Sequence, residues 1–259
     1  MSRFINLELG GESENFDQTP PTAGVKDEAY YLREAQTAFE QGQFEPALRF
    51  YSKVLEFNPQ NAAAWTAQVR MLIELAEYRE AKVWADKALE RFLDEPELLA
   101  AKAVALARGG ELDAALAFSD ASMEQRGDNP YVWLARGDVL LARKEKRADY
   151  CFEKAQALAP QSWLIAWLAA RIRFYYHQFI LAVGLFRQAA EWNPGNFCLW
   201  LDLGRCQRHL AMVGAAESSF RHALDLNPHC SAAETELTTL AQTGLLSRLR
   251  DQCRQLFHR

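Results

Sequence analysis

The chain has 259 residues, of which 49% are apolar and 24% charged, as in ordinary soluble folded proteins. Its formal net charge of −5 argues against the broad basic surface of a nucleic-acid-binding protein. Five cysteines, an odd number without CxxC spacing, favour a reducing compartment, and no apolar stretch reaches the length of a membrane-spanning helix. We therefore expect a cytoplasmic protein.

Residues 1–27 are predicted to form a flexible acidic leader, because glycine and proline interrupt any regular pattern there. The leader lacks the basic start and long apolar core of a signal peptide. Its short apolar motif, Phe4–Leu9, leaves two alternatives open. It is either part of a disordered tail or a docking segment that binds in a groove of its own chain.

From Glu28 onwards the sequence is periodic, with alanines recurring at spacings of 34, 34, 33, 34 and 34 residues. A fixed period in this range is typical of stacked helical units, so we predict six repeats, each with two antiparallel helices, A and B. Proline ends helix B, as at Asn58-Pro59, and glycine separates A from B at Gly42, Gly109-Gly110 and Gly214. The marker alanines are Ala47, Ala81, Ala115, Ala148, Ala182 and Ala216. The predicted repeats are 28–61, 62–95, 96–129, 130–163, 164–196 and 197–230.

The repeats resemble the tetratricopeptide repeat family, which places an aromatic residue early in helix A and a small residue four positions later. The aromatic residues are Tyr31, Trp65, Trp133, Trp167 and Trp200, and the small ones Ala35, Val69, Gly137 and Gly204. A second aromatic position in helix B holds Tyr51, Phe152, Phe186 and Phe220. The resemblance implies an all-α, right-handed solenoid of six helix hairpins with C-terminal capping helices, whose A helices line a concave binding face.

Repeats three, four and five depart from the family pattern. Repeat three has Leu99 and Ser119 where aromatic residues are expected, so it is predicted to be the most loosely packed repeat and a candidate hinge. Repeats four and five are predicted to have an A–B turn one residue short. Repeat five also has Arg171 at the small position, which leaves its local register open.

Residues 231–259 are predicted to form capping helices, which cover the exposed end of a repeat array. Residues 245–257 carry leucines at helical spacing with arginines on the other faces. This segment is either a second cap helix or a basic amphipathic helix that meets a partner or a membrane surface.

No arrangement of residues indicates catalysis. The glycine pairs lack the lysine of a phosphate-binding loop, and Cys206 with His209 has no second pair at zinc-binding spacing. We therefore predict a protein that is not an enzyme and that needs no metal or cofactor.

Counting from the tryptophans predicts the partner-binding residues of the concave face. The central residues form an apolar strip, and the distal ones form a basic end that would suit an acidic part of a peptide. The alternative is that the apolar residues are buried between helices. The predicted site residues are Arg70, Tyr131, Leu134, Asp138, Leu141, Ile165, Leu168, Ile172, Tyr175, Leu201, Arg205 and Arg208.

Similar proteins that grip a C-terminal carboxylate use a Lys-Asn-Asn-Lys-Arg set, which is absent here. The matching positions hold Leu32, Gln36, Ala67, Glu97 and Ala101. We predict a non-catalytic protein–protein interaction scaffold that binds a peptide or helix of a partner protein, without nucleic-acid or membrane partners. The alternatives are an accessory or substrate-recognition subunit of an enzyme complex and, less favoured by the acidic balance, an RNA-binding helical repeat.

Overall fold

A computed structural model describes residues 26–242, which are helical apart from short connections and contain no strand. The leader motif Phe4–Leu9 and the segment 245–257 lie outside the described residues. A further helix is described over residues 231–242 and is called the 231–242 helix below. The preceding helices are α1 (Glu28–Glu40), α2 (Phe44–Phe57), α3 (Ala62–Glu74), α4 (Tyr78–Leu89), α5 (Pro96–Arg108), α6 (Leu112–Gln125), α7 (Pro130–Ala142), α8 (Ala148–Leu158), α9 (Trp163–Tyr175), α10 (Phe179–Trp192), α11 (Phe197–His209) and α12 (Val213–Leu226).

The chain divides into two compact units, Met1–Ala148 and Asp149–Arg259. In unit 1, each helix from α1 to α6 packs on the next one along the chain, and α5 also packs on α3 and α7. In unit 2, α9, α10, α11 and α12 pack successively in the same way. The 231–242 helix joins the core of α11 and α12 through Ala233 and Leu240. The capping role of this helix remains a prediction.

Every A–B turn contains one residue in the left-handed region, and these residues recur at the period of the repeats. The amide of this residue and the next amide bond back to the last turn of helix A, for example Ala76 N to Ile73 O at 3.0 Å and Glu77 N to Leu72 O at 2.9 Å. This pattern is a Schellman motif, which favours but does not require glycine. The left-handed residues are Gly42, Ala76, Gly110, Lys144, His177 and Ala211. The predicted break at Gly214 is therefore wrong, because this glycine lies within α12.

The turn of repeat four is one residue short, as predicted. Lys144 precedes the marker alanine Ala148 by four residues, and α8 begins only at that alanine. The prediction for repeat five is wrong, because His177 precedes Ala182 by five residues, which is the spacing in the remaining turns.

The register of α9 also differs from the prediction. In α3, α7 and α11 the tryptophan is the fourth residue, and its indole donates to a backbone oxygen six residues earlier, as Trp65 Nε1 does to Pro59 O at 3.0 Å. Trp167 is the fifth residue of α9 and donates instead to Asp202 Oδ2 at 2.9 Å. The small position of this repeat is consequently Ala170, which is fully buried, and not Arg171.

Small residues set the distance between helices. All six marker alanines are at most 1% exposed. A Cβ atom added to Gly204 would lie 2.5 Å from Phe220 Cε1, so α11 and α12 approach each other closely at a position that only glycine fits.

Repeat three is not loosely packed at its A helix, contrary to the prediction. Nine of the thirteen residues of α5 are buried, five of them alanines. Because these side chains are small, α5 packs closely on its neighbours without the missing aromatic residues.

Candidate functional site

The predicted apolar strip does not form a continuous exposed surface. Leu134 is 1% exposed, and Ile165, Leu168 and Ile172 are also buried, as is Leu201. The register of α9 explains this for Ile172, because one residue rotates a helical side chain by about 100°. Its equivalents in the other A helices from α3 onwards are all buried: Met71, Ala105, Val139 and Cys206.

Of the seven other predicted site residues, six are at least partly exposed and one, Asp138, is buried. Tyr175 is 40% exposed, and the partly exposed residues are Arg70, Tyr131, Leu141, Arg205 and Arg208. Asp138 is only 1% exposed, so a partner cannot reach it directly.

In unit 1, side chains of the chain itself occupy the predicted site. The Arg70 guanidinium carbon lies 4.0 Å from the centre of the Tyr131 ring and 5.3 Å from that of Phe39. This cation–π contact joins α3 to α7 and α1. Burial raises the pKa of the Tyr131 hydroxyl well above its ordinary value, which keeps that group protonated.

A buried ion pair joins α5 to α7. Arg108 donates to Asp138 Oδ2 through Nη2 at 2.6 Å and through Nε at 3.1 Å, and the two side chains are 6% and 1% exposed. Asp138 is therefore a structural partner of Arg108, which corrects its assignment to the binding site.

In unit 2, arginines and carboxylates alternate between successive A helices. Asp202 Oδ2 accepts from Trp167 Nε1 at 2.9 Å and from Arg171 Nη1 at 3.0 Å, while Oδ1 accepts from Arg205 Nη1 at 3.4 Å. Glu236, on the 231–242 helix, accepts from Arg205 Nε at 3.1 Å, and its Oε2 lies 3.1 Å from Arg208 Nε. We call Arg171, Arg205 and Arg208 the arginine ladder.

The arginine ladder is more exposed than the carboxylates that it contacts. The side chains of the carboxylates, Asp202 and Glu236, are only 7% and 16% exposed. Arg205 and Arg208 are each 36% exposed. Within residues 26–242, Nη2 of Arg205 and both terminal nitrogens of Arg208 donate to no protein acceptor.

Sequence reasoning found Arg205 and Arg208 but missed the rest of this arrangement. The overlooked signal is a recurrence of charged residues at the repeat period. Arg205 follows Arg171 by 34 residues, and Glu236 follows Asp202 by 34 residues. Counting α9 from Trp167 concealed it, since that count placed Arg171 at a small position.

Nothing in the described residues suggests a reactive centre. The four described cysteines are free and buried, and burial raises the pKa of Cys206 to about 12, so the thiol stays protonated. Residues 26–242 contain no group of three His, Cys, Asp or Glu side chains placed to hold a metal ion. None of the helices described has both the length and the apolar character needed to cross a bilayer.

Comparison with known proteins identifies the repeats. Residues 38–105, which run from the end of α1 into α5, match the family model described as tetratricopeptide repeat. This stretch carries tetratricopeptide repeat sequence. Among curated proteins, none matches this sequence. The predicted fold class, an all-α helical-repeat solenoid, is confirmed.

Two solved structures share this fold at low sequence identity. TTC0263 of Thermus thermophilus, a thermophilic tetratricopeptide repeat protein, is 21% identical, with a TM-score of 0.54 over 71% of this chain and 99% of that one. The human IFIT1 dimer with m7Gppp-AAAA is 17% identical, with a TM-score of 0.52 over 91% of this chain and 60% of that one. The Cut9 and Hcn1 hetero-tetramer of the APC/C gives 17% identity and a TM-score of 0.49, and this chain covers 51% of that chain.

Proposed function

We propose that the protein is a non-catalytic interaction scaffold that binds a peptide or helix of a partner protein. Tetratricopeptide repeats are generally non-catalytic scaffolds, which supports the first part of the proposal. We place the binding surface on the A helices of unit 2, where Tyr175, Arg205 and Arg208 are accessible. This accessibility is the observation that carries the proposal, since contacts within the chain already occupy the corresponding side chains of unit 1.

The sequence disfavours nucleic-acid and membrane partners, and both classes call for a direct test. The IFIT1 structure contains m7Gppp-AAAA, but an identity of 17% reflects a shared fold and does not transfer that ligand to this chain. The absence of a nucleic-acid partner and the cytoplasmic location therefore stay predictions. Experiments on binding should include a nucleic-acid arm.

Site-specific photo-crosslinking tests the proposed surface. A photoreactive phenylalanine analogue replaces Tyr175 on α9 in one variant and Tyr150 on α8 in the control. Both tyrosines belong to unit 2 and are exposed, at 40% and 53%, but one lies on an A helix and the other on a B helix. After irradiation in extract of the native cells, crosslinked species are identified by mass spectrometry.

We expect a distinct protein crosslinked from position 175 and not from position 150. Crosslinks from both positions to the same proteins would indicate non-specific contact and overturn the proposed surface. Crosslinks from position 175 to nucleic acid alone would replace the protein scaffold by a nucleic-acid-binding function. Co-purification of an enzyme with the crosslinked partner would favour the accessory-subunit alternative.

A further inference from the structure

We infer that residues 245–257 of the chain dock on an apolar surface at the A–B turns of repeats five and six. This surface consists of Ile180 and Leu181 in the first turn of α10 and of Met212 and Val213 where α12 begins, and we call it the apolar edge. Its four side chains are 77%, 50%, 37% and 52% exposed, in that order. The inference goes beyond the proposed function, because it concerns the turns and not the surface of the A helices.

The apolar edge differs from the same positions in the other repeats. The residue that follows the left-handed turn residue is polar in five turns and is Met212 in the sixth. The third residue after it is charged in the first four turns and is Ile180 in the fifth. The polar residues are Gln43, Glu77, Glu111, Glu145 and Gln178, and the charged ones are Glu45, Arg79, Asp113 and Arg147. Single exposed apolar side chains are common, but a group of them in successive turns indicates a binding surface.

Ring stacking holds the two halves of the apolar edge next to each other. The Phe179 ring, which precedes Ile180, stacks on the His209 ring with their centres 4.6 Å apart and their planes 10° apart. Cys206 Sγ also lies 3.3 Å from Phe179 O. The first turn of α10 therefore lies against the end of α11, three residues before Met212.

The described part of the chain ends beside this surface. Leu240 and Ala216 belong to the same buried cluster, and Ala216 follows Val213 by three residues. As a helix, residues 245–257 would extend about 20 Å, whereas packed helices lie about 8–10 Å apart. The segment is therefore long enough to cross from α12 to α10. Since it is tethered close to its target, it has a high effective concentration there, and a small apolar contact is enough to hold it.

The sequence of the segment supplies the matching chemistry. Its apolar residues recur at helical spacing, while arginines occupy the other faces, so one stripe of the segment gains by burial. The apolar residues are Leu245, Leu246, Leu249, Cys253, Leu256 and Phe257.

The outer face of the 231–242 helix offers no such match. In repeat six, Gly204 is the position on which the B helix packs, through Phe220. The equivalent residue 34 positions later is Thr238, which is exposed, as are Glu234 and Thr235. The hydroxyl of Thr238 donates to Glu234 O at 2.9 Å, within its own helix. This face is polar, as expected for the end of a repeat array, so the apolar stripe of the segment is better buried on the apolar edge.

Photo-crosslinking within the full-length chain tests the inference. A photoreactive phenylalanine analogue, itself apolar, replaces Ile180 in one variant and Val83 on α4, which is 51% exposed, in the control. We expect crosslinks to peptides within residues 243–259 from position 180 and not from position 83. Leu249→Gln should lower the yield of these crosslinks by about tenfold, because burial of one leucine changes an equilibrium by at least that factor. Arg250→Gln, on another face of the segment, should leave the yield unchanged.

An equal mixture of unlabelled and isotopically labelled chains identifies the chain that supplies the segment. Crosslinks that always join peptides with the same label support docking within one chain. Crosslinks that combine the two labels would overturn the inference in favour of a second copy. Absence of crosslinks to residues 243–259, or equal crosslinking from positions 180 and 83, would also overturn it.

Dye binding provides a second test that needs no crosslinker. Leu249→Gln should raise the fluorescence of an anilinonaphthalene dye, because the apolar edge becomes uncovered. Adding Met212→Gln and Ile180→Arg should remove this rise. Glutamine and arginine occupy the same positions in other turns, as Gln178 and Arg79 do, so the helices should still form, and circular dichroism checks this. No rise in Leu249→Gln, or a rise that persists in the triple variant, would overturn the inference.

Discussion

At the scale of single residues, close packing of α11 and α12 depends on Gly204, where no larger residue fits. Replacing Gly204 by alanine would place a methyl group against the fully buried ring of Phe220. We expect a loss of about 1–3 kcal/mol in the free energy of unfolding, because neither helix can move without disturbing its neighbour. The control is Gly184→Ala in α10, where a Cβ meets nothing within 4 Å. This change should stabilise the protein by about 1 kcal/mol, as measured by urea denaturation. Equal effects of the two substitutions would show that the close approach at Gly204 is not tight.

The left-handed turn residues make a second prediction at this scale. Ala76 has a φ of 61°, a conformation that costs alanine about 1 kcal/mol and costs glycine nothing comparable. Ala76→Gly should therefore stabilise the chain by up to about 1 kcal/mol. Ala117→Gly, at an exposed position within α6, should destabilise it by about the same amount. Thermal unfolding of the two variants should shift in opposite directions, and shifts of the same sign would contradict the assigned turn.

At the scale of helices, the buried pair between α5 and α7 is a structural link. Arg108→Met removes a charged partner of the buried Asp138 carboxylate, which should cost up to about 3–5 kcal/mol. The double variant Arg108→Met/Asp138→Leu removes both charges and should recover most of that loss. Denaturant unfolding of the single and double variants measures the difference. A double variant as unstable as the single one would mean that the charges themselves stabilise the contact.

The helices also show what could and could not be predicted from the sequence. The hairpins and the buried alanines follow from the period, because every repeat needs a small residue at the same contact. The register of α9 did not follow, because Trp163 and Trp167 offer two alignments and only the hydrogen bond to Asp202 separates them. The same register accounts for the burial of Ile172, but Leu134 and Leu201 are buried in helices of the common register. Arg205 and Arg208, also on a helix of the common register, keep the exposure expected of them.

At the scale of the whole molecule, burial is uneven among helices. In unit 1, nine of thirteen residues are buried in α5 but only three of fourteen in α6. In unit 2, eight of thirteen are buried in α9 but four of fourteen in α12. Repeat arrays unfold locally, and amides in helices with the most buried contacts open least often.

Hydrogen exchange should therefore differ within each unit. We expect slower exchange in α5 than in α6, and slower exchange in α9 than in α12, when peptides are followed by mass spectrometry. Uniform exchange across each pair of helices would show that each unit opens as a single cooperative block. The comparison within a unit provides its own control, because both helices experience the same solution conditions.

The common A–B turn has a consequence for protein engineering. Its left-handed residue follows the fourth residue of every A helix by eleven positions, as Ala76 follows Trp65, and this holds even where the tryptophan has moved. Chimeras that exchange hairpins at this residue should therefore keep the face of each transplanted helix in phase. A junction aligned on Trp167 would instead turn the donor helix by about 100°. Junctions placed at the left-handed turn residue should therefore preserve a grafted surface. Junctions aligned on tryptophan should destroy it.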